Sequence, residues 1–99
     1  MKGARLKISR IIWFDEIIAK LGAKHGVYQQ EVIELLSNKP RFRFVEKGHR
    51  PGENVYAALG RTDAGRHLIA FFVYKPDGSA LILSGRNMTP AERKRHEKK

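Results

Sequence analysis

The hydrophobic period of this chain changes once, around Asn38 and Pro40, and that change limits the fold more than any other feature. Upstream, Ile17, Ile18 and Leu21 form one helical stripe. Tyr28, Val32, Leu35 and Leu36, spaced i, i+4, i+7 and i+8, form a second. Downstream, from Arg41, the period becomes two: Phe42 and Phe44 point one way, and Arg41, Arg43 and Val45 the other. Helices first and strands afterwards predict an α+β domain with its helices laid on one face of an antiparallel sheet.

Local signals place the boundaries. Ile8–Trp13 is a short β-like run, Asp15 is a candidate N-cap, and the first helix closes around Gly22 or Gly26. Asn38 and Pro40 end the second helix. The remaining strands are predicted at Val55–Thr62, at Leu68–Tyr74 and at Ala80–Leu83. Leu68–Tyr74 is apolar on both sides, which suits the centre of a sheet. A loop at Lys47–Gly52, a tight connection at Asp63–Arg66 and a turn at Pro76-Asp77-Gly78-Ser79 join them. Thr89, Pro90 and Glu92 then stand at N-cap, N1 and N3 of a final helix, as a capping box requires. Beyond Ala91 that helix has no apolar stripe, so either it frays or it is held by its cap, by Met88 and by contacts from the sheet. The expectation is one domain over residues 1–99: two N-terminal helices on a roughly four-stranded antiparallel sheet, plus a short basic C-terminal helix. Residues 1–7 and 98–99 are expected to be flexible.

Charge narrows the partners. Twenty Lys and Arg against ten Asp and Glu give a net +10 over 99 residues. Most of this excess lies at the two ends, in residues 1–10 and 86–99. Either these ends are solvated tails that keep the protein soluble, or they face an anionic partner, nucleic acid or an acidic protein. The absence of cysteine excludes disulfides and thiol chemistry. No apolar run reaches the ~18–20 residues of a membrane span, and the N-terminus lacks the apolar stretch of a signal peptide. A cytoplasmic protein is expected.

Several chemistries lack their residues. His25, His49, His67 and His96 show no metal spacing, Ser84-Gly85 lacks the nucleophile-elbow frame, and no glycine loop suits a nucleotide phosphate. No metal or cofactor is expected. Cations and imidazoles remain. Metal-free RNA cleavage needs a base for the 2′-hydroxyl, positive charge on the phosphate and an acid for the 5′ oxygen. Histidine suits either proton transfer and arginine suits the phosphate. Lys24-His25 at the end of the first helix, Arg61 on a strand, and Arg86 with His96 at the chain's end can supply these groups. Arg66, Arg93 and Arg95 are candidates for holding nucleic acid around them. A bland alternative for His25 is capping of carbonyls at a helix C-terminus, and His67 reads as structural.

Taken together, Lys24-His25-Gly26-Val27, Glu31, Gly60-Arg61-Thr62, Ser84-Gly85-Arg86, Met88-Thr89 and Glu92-Arg93 resemble the BrnT family of bacterial toxins. The resemblance spans roughly residues 11–97. It implies a compact fold related to RelE and ParE, and an endoribonuclease that arrests translation. It also implies a DNA-binding antitoxin as partner, and is compatible with a dimer inside the toxin–antitoxin complex. Lys24, His25, Arg61 and Arg86 fall on motif positions: the arginines would hold the scissile phosphate, Lys24 would add charge, and His25 or His96 would move protons. The chain departs from the family pattern at four places. Gly85 replaces an alanine, Asn87 stands where an acid is common, His96 replaces a tyrosine, and Leu21 stands where many members have asparagine. The rival reading is a non-catalytic basic module that binds RNA or protein. Gyrase poisoning, known among ParE-like relatives, has only fold analogy behind it.

Overall fold

The computed structural model describes residues 6–97. The chain forms β1 (Arg10–Ile12), α1 (Asp15–Lys20), a π-helical turn (Leu21–His25), α2 (Gln29–Ser37), β2 (Arg41–Glu46), β3 (Asn54–Arg61), β4 (His67–Tyr74), β5 (Ser79–Asn87) and α3 (Pro90–Glu97). The sheet has five strands in the order β1-β5-β4-β3-β2. β4 is central, as its apolar run predicts. The expected four-stranded antiparallel sheet is corrected in one respect: β1 adds a parallel strand beside β5, with Arg10 opposite Ser79 and Ile12 opposite Leu81. A parallel pair needs a long crossover, and here the crossover is most of the chain.

Each strand sorts its residues by parity. One face carries Phe42, Ala58, Leu68, Ala70, Phe72, Ala80 and Ile82, which pack against Leu21, Val27, Val32 and Leu35 from the helical segment. The opposite face carries Ala57, Leu59 and Ile69, which pack with Met88 at the entrance to α3. The N-terminal helices and α3 therefore lie on opposite sides of the sheet. We call these the helical face and the α3 face. Aromatic rings fill the helical face toward β2: Phe42 and Phe72 meet edge to face at 5.9 Å, and Tyr56 stacks on Phe72 at 6.3 Å.

Two bulges interrupt the regular pairing. The β4–β5 register shifts between Phe71 and Phe72, so that Phe72 faces Ile82 while Phe71 faces Ser84. Leu83 is the extra residue. Beyond it the parity of β5 is inverted: Gly85 pairs with Ala70 on the helical face and Arg86 with Ile69 on the α3 face. The last strand thus runs on from the expected Ala80–Leu83 to Asn87. The other bulge, between Phe44 and Glu46, lies in β2.

The helix ends follow local chemistry. Phe14, not Asp15, is the N-cap of α1, without a side-chain bond, and Asp15 opens the helix. Gly26 ends the π turn in the left-handed conformation at φ 61°, which glycine adopts without steric cost. Glu31 reaches back to the Tyr28 amide at 3.1 Å, at the start of α2. At α3 the expected capping box is complete. The Glu92 amide donates to the Thr89 hydroxyl at 3.1 Å, and the Thr89 amide donates to Glu92 at 2.8 Å. Of the ends expected to be loose, residues 1–5 and 98–99 lie outside the described residues. Leu6 packs against the core, and the Lys7 carbonyl accepts a bond from the Tyr74 hydroxyl at 3.0 Å.

Candidate nucleic-acid interface

The α3 face is the cationic one. Arg41 and Arg43 stand opposite Leu59 and Ala57, which puts both arginines on it. Arg61, two residues beyond Leu59, shares that parity and pairs with His67 of β4. Arg86 joins them because of the Leu83 bulge. Arg61 and Arg86 are separated by one intervening strand and one pleat step, about 10 Å across the sheet and about 7 Å along it. Four guanidinium groups from three strands are thus presented to one side.

α3 lies over this array, held by its own acids. Arg86 forms a two-pronged pair with Glu92, Nη1 to Oε1 at 2.8 Å and Nη2 to Oε2 at 3.0 Å. Its guanidinium sits 5.8 Å from the Phe71 ring centroid. The Arg86 fork beside Glu92 holds that carboxyl at about 2, against an ordinary value of 4.5, and the Thr89 amide and hydroxyl add to the effect. The same pair raises the Arg86 guanidinium. At the other end of the helix, His67 Nε2 lies 3.3 Å from Glu97 Oε2. Burial lowers the His67 pKa, helped by Arg93 and Arg61 and opposed by Glu97.

Two depressions flank the helix and share His96. A groove of about 410 Å³ is lined by Arg41, Phe42, Arg43, Leu59 and, from α3, Ala91, Glu92, Arg95 and His96. A wider depression of about 640 Å³ runs from Asn38 and Lys39 along Gly60–Gly65 to His96. The imidazole on the last turn of α3 therefore stands where a cationic groove meets the Arg61 end of the sheet.

The residues proposed from sequence divide between the two faces. Arg61, Arg86 and His96 are gathered on the α3 face, with Arg93 and Arg95 on the helix above. Lys24, exposed, and His25, half-buried, lie in the π turn. That turn belongs to the layer packed on the helical face, since Leu21 lies against the inner side of Gly85. Arg66 has a different task from the nucleic-acid contact expected of it. Its Nη1 bonds the Gly26 carbonyl at 2.8 Å and both Glu31 oxygens at 2.9 and 3.0 Å. Its Nη2 bonds the His25 carbonyl at 3.2 Å, and its Nε bonds Asn87 at 2.8 Å. The open carbonyls at the end of the π turn are capped by Arg66 and not by a histidine. With its fork turned inward, Arg66 ties together the π turn, α2 and the end of β5.

Three residues on the α3 face were missed as site candidates. Arg41 and Arg43 were legible as a pair, because their parity opposes Phe42 and Phe44. His67 was legible once Arg61 was chosen, since a short connection through Asp63–Arg66 sets the two opposite each other. Among the described residues no group of three or more His, Cys, Asp or Glu is placed to hold a metal ion, and no helix is long and apolar enough to cross a membrane.

No protein-family model and no curated protein matches the sequence. The structure itself has a counterpart. It is similar to the crystal structure of the Brucella abortus ribonuclease toxin BrnT, with a TM-score of 0.59 and 17% sequence identity. The likeness covers 81% of this chain and 96% of that one. At this identity what is shared is the fold, and the chain accordingly has an α+β fold similar to that of this toxin.

Proposed function

We propose that this chain is the toxin of a toxin–antitoxin pair and an endoribonuclease that works without a metal. The observation that carries the reading is the assembly on one sheet face of Arg41, Arg43, Arg61 and Arg86, with His96 above them between two grooves. A single-stranded RNA tracks such a face through its phosphates. Among the described residues none bonds the Arg61 guanidinium, and it is exposed, so its fork is available to a phosphate. Arg86 already holds Glu92. Its role is to fix α3, and with it His96, over the sheet.

The chemistry is an in-line transfer. The 2′-oxygen attacks phosphorus and loses its proton to a base, the bond to the 5′-oxygen breaks, and that oxygen takes a proton from an acid. The products are a 2′,3′-cyclic phosphate and a 5′-hydroxyl. His96 is assigned one of the two proton transfers, worth typically 10²–10⁴-fold. Arg61, with Arg41 or Arg43, stabilises the charge that builds on the phosphate. The RelE-like consequences, arrest of translation and neutralisation by a DNA-binding antitoxin in the cytoplasm, belong to the same proposal.

End-labelled RNA incubated with the protein in EDTA tests it. Cleavage leaving cyclic-phosphate ends is expected, with Arg61→Ala and His96→Ala each reducing the rate at least about 100-fold at unchanged melting temperature. The second reading, a basic module that binds RNA without cutting it, is favoured by one observation: Glu92 already occupies the Arg86 fork. Salt-sensitive binding with intact RNA would establish it in place of the nuclease.

A further inference from the structure

We propose that the outer edge of β2 is a docking strand for an extended acidic segment of another protein, in which acidic and apolar residues alternate. β2 ends the sheet, and among the described residues no segment pairs with its outer side. The opposite edge, β1, has three residues, whereas β2 has six. Short edge strands offer little to pair with, whereas a longer one presents a row of unpaired amides and carbonyls. Five of the six β2 residues are exposed, all but Phe42.

The two sides of this edge ask for different chemistry. Toward α3 it presents Arg41 and Arg43, which line the groove shared with Arg95 and His96, and past the bulge Glu46, opposite Val55 at the far end of the strand. Toward the helical face it presents Phe44, half-exposed at 50%, with its ring edge-on to Tyr56 at 5.8 Å. Val45, at the bulge, is 41% exposed. An added strand sends successive side chains to opposite faces. Its residues on one parity would meet two guanidiniums, and those on the other a bare phenyl ring. Main-chain bonds to an edge give affinity, and alternate side chains give specificity.

Charge selects the occupant. Pairing of β2 with a second copy of itself would bring four arginines together with only two glutamates, one Glu46 from each copy, and so leave a net cationic ladder. Arginines on an edge strand guard against random pairing, and an acidic partner turns the same charges into attraction. The segment would also narrow the groove beside His96. That consequence, exclusion of RNA, rests on the function proposed above, while the pairing does not.

The test uses the full chain and two capped synthetic peptides of the length of β2 and identical composition. In one, glutamate and valine alternate; in the other, the glutamates and valines are in separate blocks. Amide exchange followed by NMR should slow in residues 41–46 with the alternating peptide only. Arg43→Glu and Phe44→Ser, both checked for native circular dichroism, should each weaken that peptide's binding at least about tenfold. Equal binding of the block peptide would overturn the proposal by showing plain charge attraction. Protection confined to other elements would overturn it as well. RNA competition is read separately. Protected β2 amides in a protein that never cleaves RNA would leave the pairing standing and remove the nuclease. Cleavage with an unprotected β2 would do the reverse.

Discussion

Arg86 and Glu92 hold each other by two parallel bonds, at 2.8 and 3.0 Å, and Glu92 at the same time closes the capping box of α3. One carboxylate thus docks the helix and starts it. Its pKa lies at about 2, below the ordinary 4.5. A carboxyl whose folded pKa is depressed contributes stability that is complete above the unfolded value and is lost as pH falls toward the folded one. Glu92→Gln should cost about 1–2 kcal/mol at neutral pH. The gap between variant and parent should close between pH 4.5 and about 2. Urea unfolding across that range checks it, and a gap independent of pH would assign the effect to packing.

Arg66 should be the most stability-critical arginine among the site candidates. It is mostly buried, as is its partner Glu31, with side chains 28% and 25% exposed. Arg66→Ala strands that carboxylate together with the carbonyls of His25 and Gly26. A loss of about 2–4 kcal/mol is expected. Lysine should recover little of it, because an ammonium cannot reach acceptors spread around a planar fork. Arg93→Ala and Arg95→Ala, at exposed positions, should stay within about 0.5 kcal/mol of the parent. Denaturant midpoints rank the four variants, and an Arg66→Ala protein as stable as Arg95→Ala would refute the clamp.

These two arginines mark the limit of what the sequence could say. Parity assigns Arg41, Arg43 and Arg61 to one face, because β2 and β3 alternate regularly through those positions. Counted from Ile82 in the same way, Arg86 would fall on the helical face. It reaches the other face only through the Leu83 bulge, for which no local residue is diagnostic. The capping box of α3 and the Pro76–Gly78 turn were readable because their partners lie within a few residues. The Arg66 bonds join residues some forty positions apart, and the β1–β5 pairing joins the two ends of the fold. Nothing local encodes either. The division of the candidates follows from the same limit: motif positions show which residues recur, not which side of a sheet each one reaches.

His67 should give the protein a measurable acid sensitivity near neutrality. Burial, with Arg93 and Arg61 close by, lowers its pKa from 6.5 despite the neighbouring Glu97. The unfolded chain therefore takes up this proton at a higher pH than the folded one. Stability must fall as pH drops below 6.5 and level off once the folded imidazole is also protonated. His67→Gln keeps a donor facing Glu97 and cannot titrate. The parent should lose stability relative to this variant on going from pH 7.5 to 5.5. Parallel thermal unfolding curves at the two pH values measure the difference, and identical pH dependence in both proteins would contradict the assignment.

Gly85 and Gly60 should respond to alanine in opposite directions. A β-carbon on Gly85 would lie 3.5 Å from Leu21 Cδ2 and 3.6 Å from the Ile69 carbonyl, ordinary contact distances. Alanine there fills space and removes the extra freedom that glycine has in the unfolded chain. A gain of about 0.5–1 kcal/mol is expected. On Gly60 the same atom would come within 3.0 Å of Leu35 Cδ1 and 3.4 Å of the Pro40 Cα. Leu35 is fully buried and has little room to yield, so Gly60→Ala should cost about 1–3 kcal/mol. Function separates the two faces further. Gly85 points to the helical side while Arg86 points to α3, so Gly85→Ala should raise the melting temperature and leave the proposed RNA cleavage as it is in the parent. Reduced cleavage in that stabilised variant would show that the neighbouring arginine depends on the looseness of the glycine backbone, and not only on the Glu92 pair.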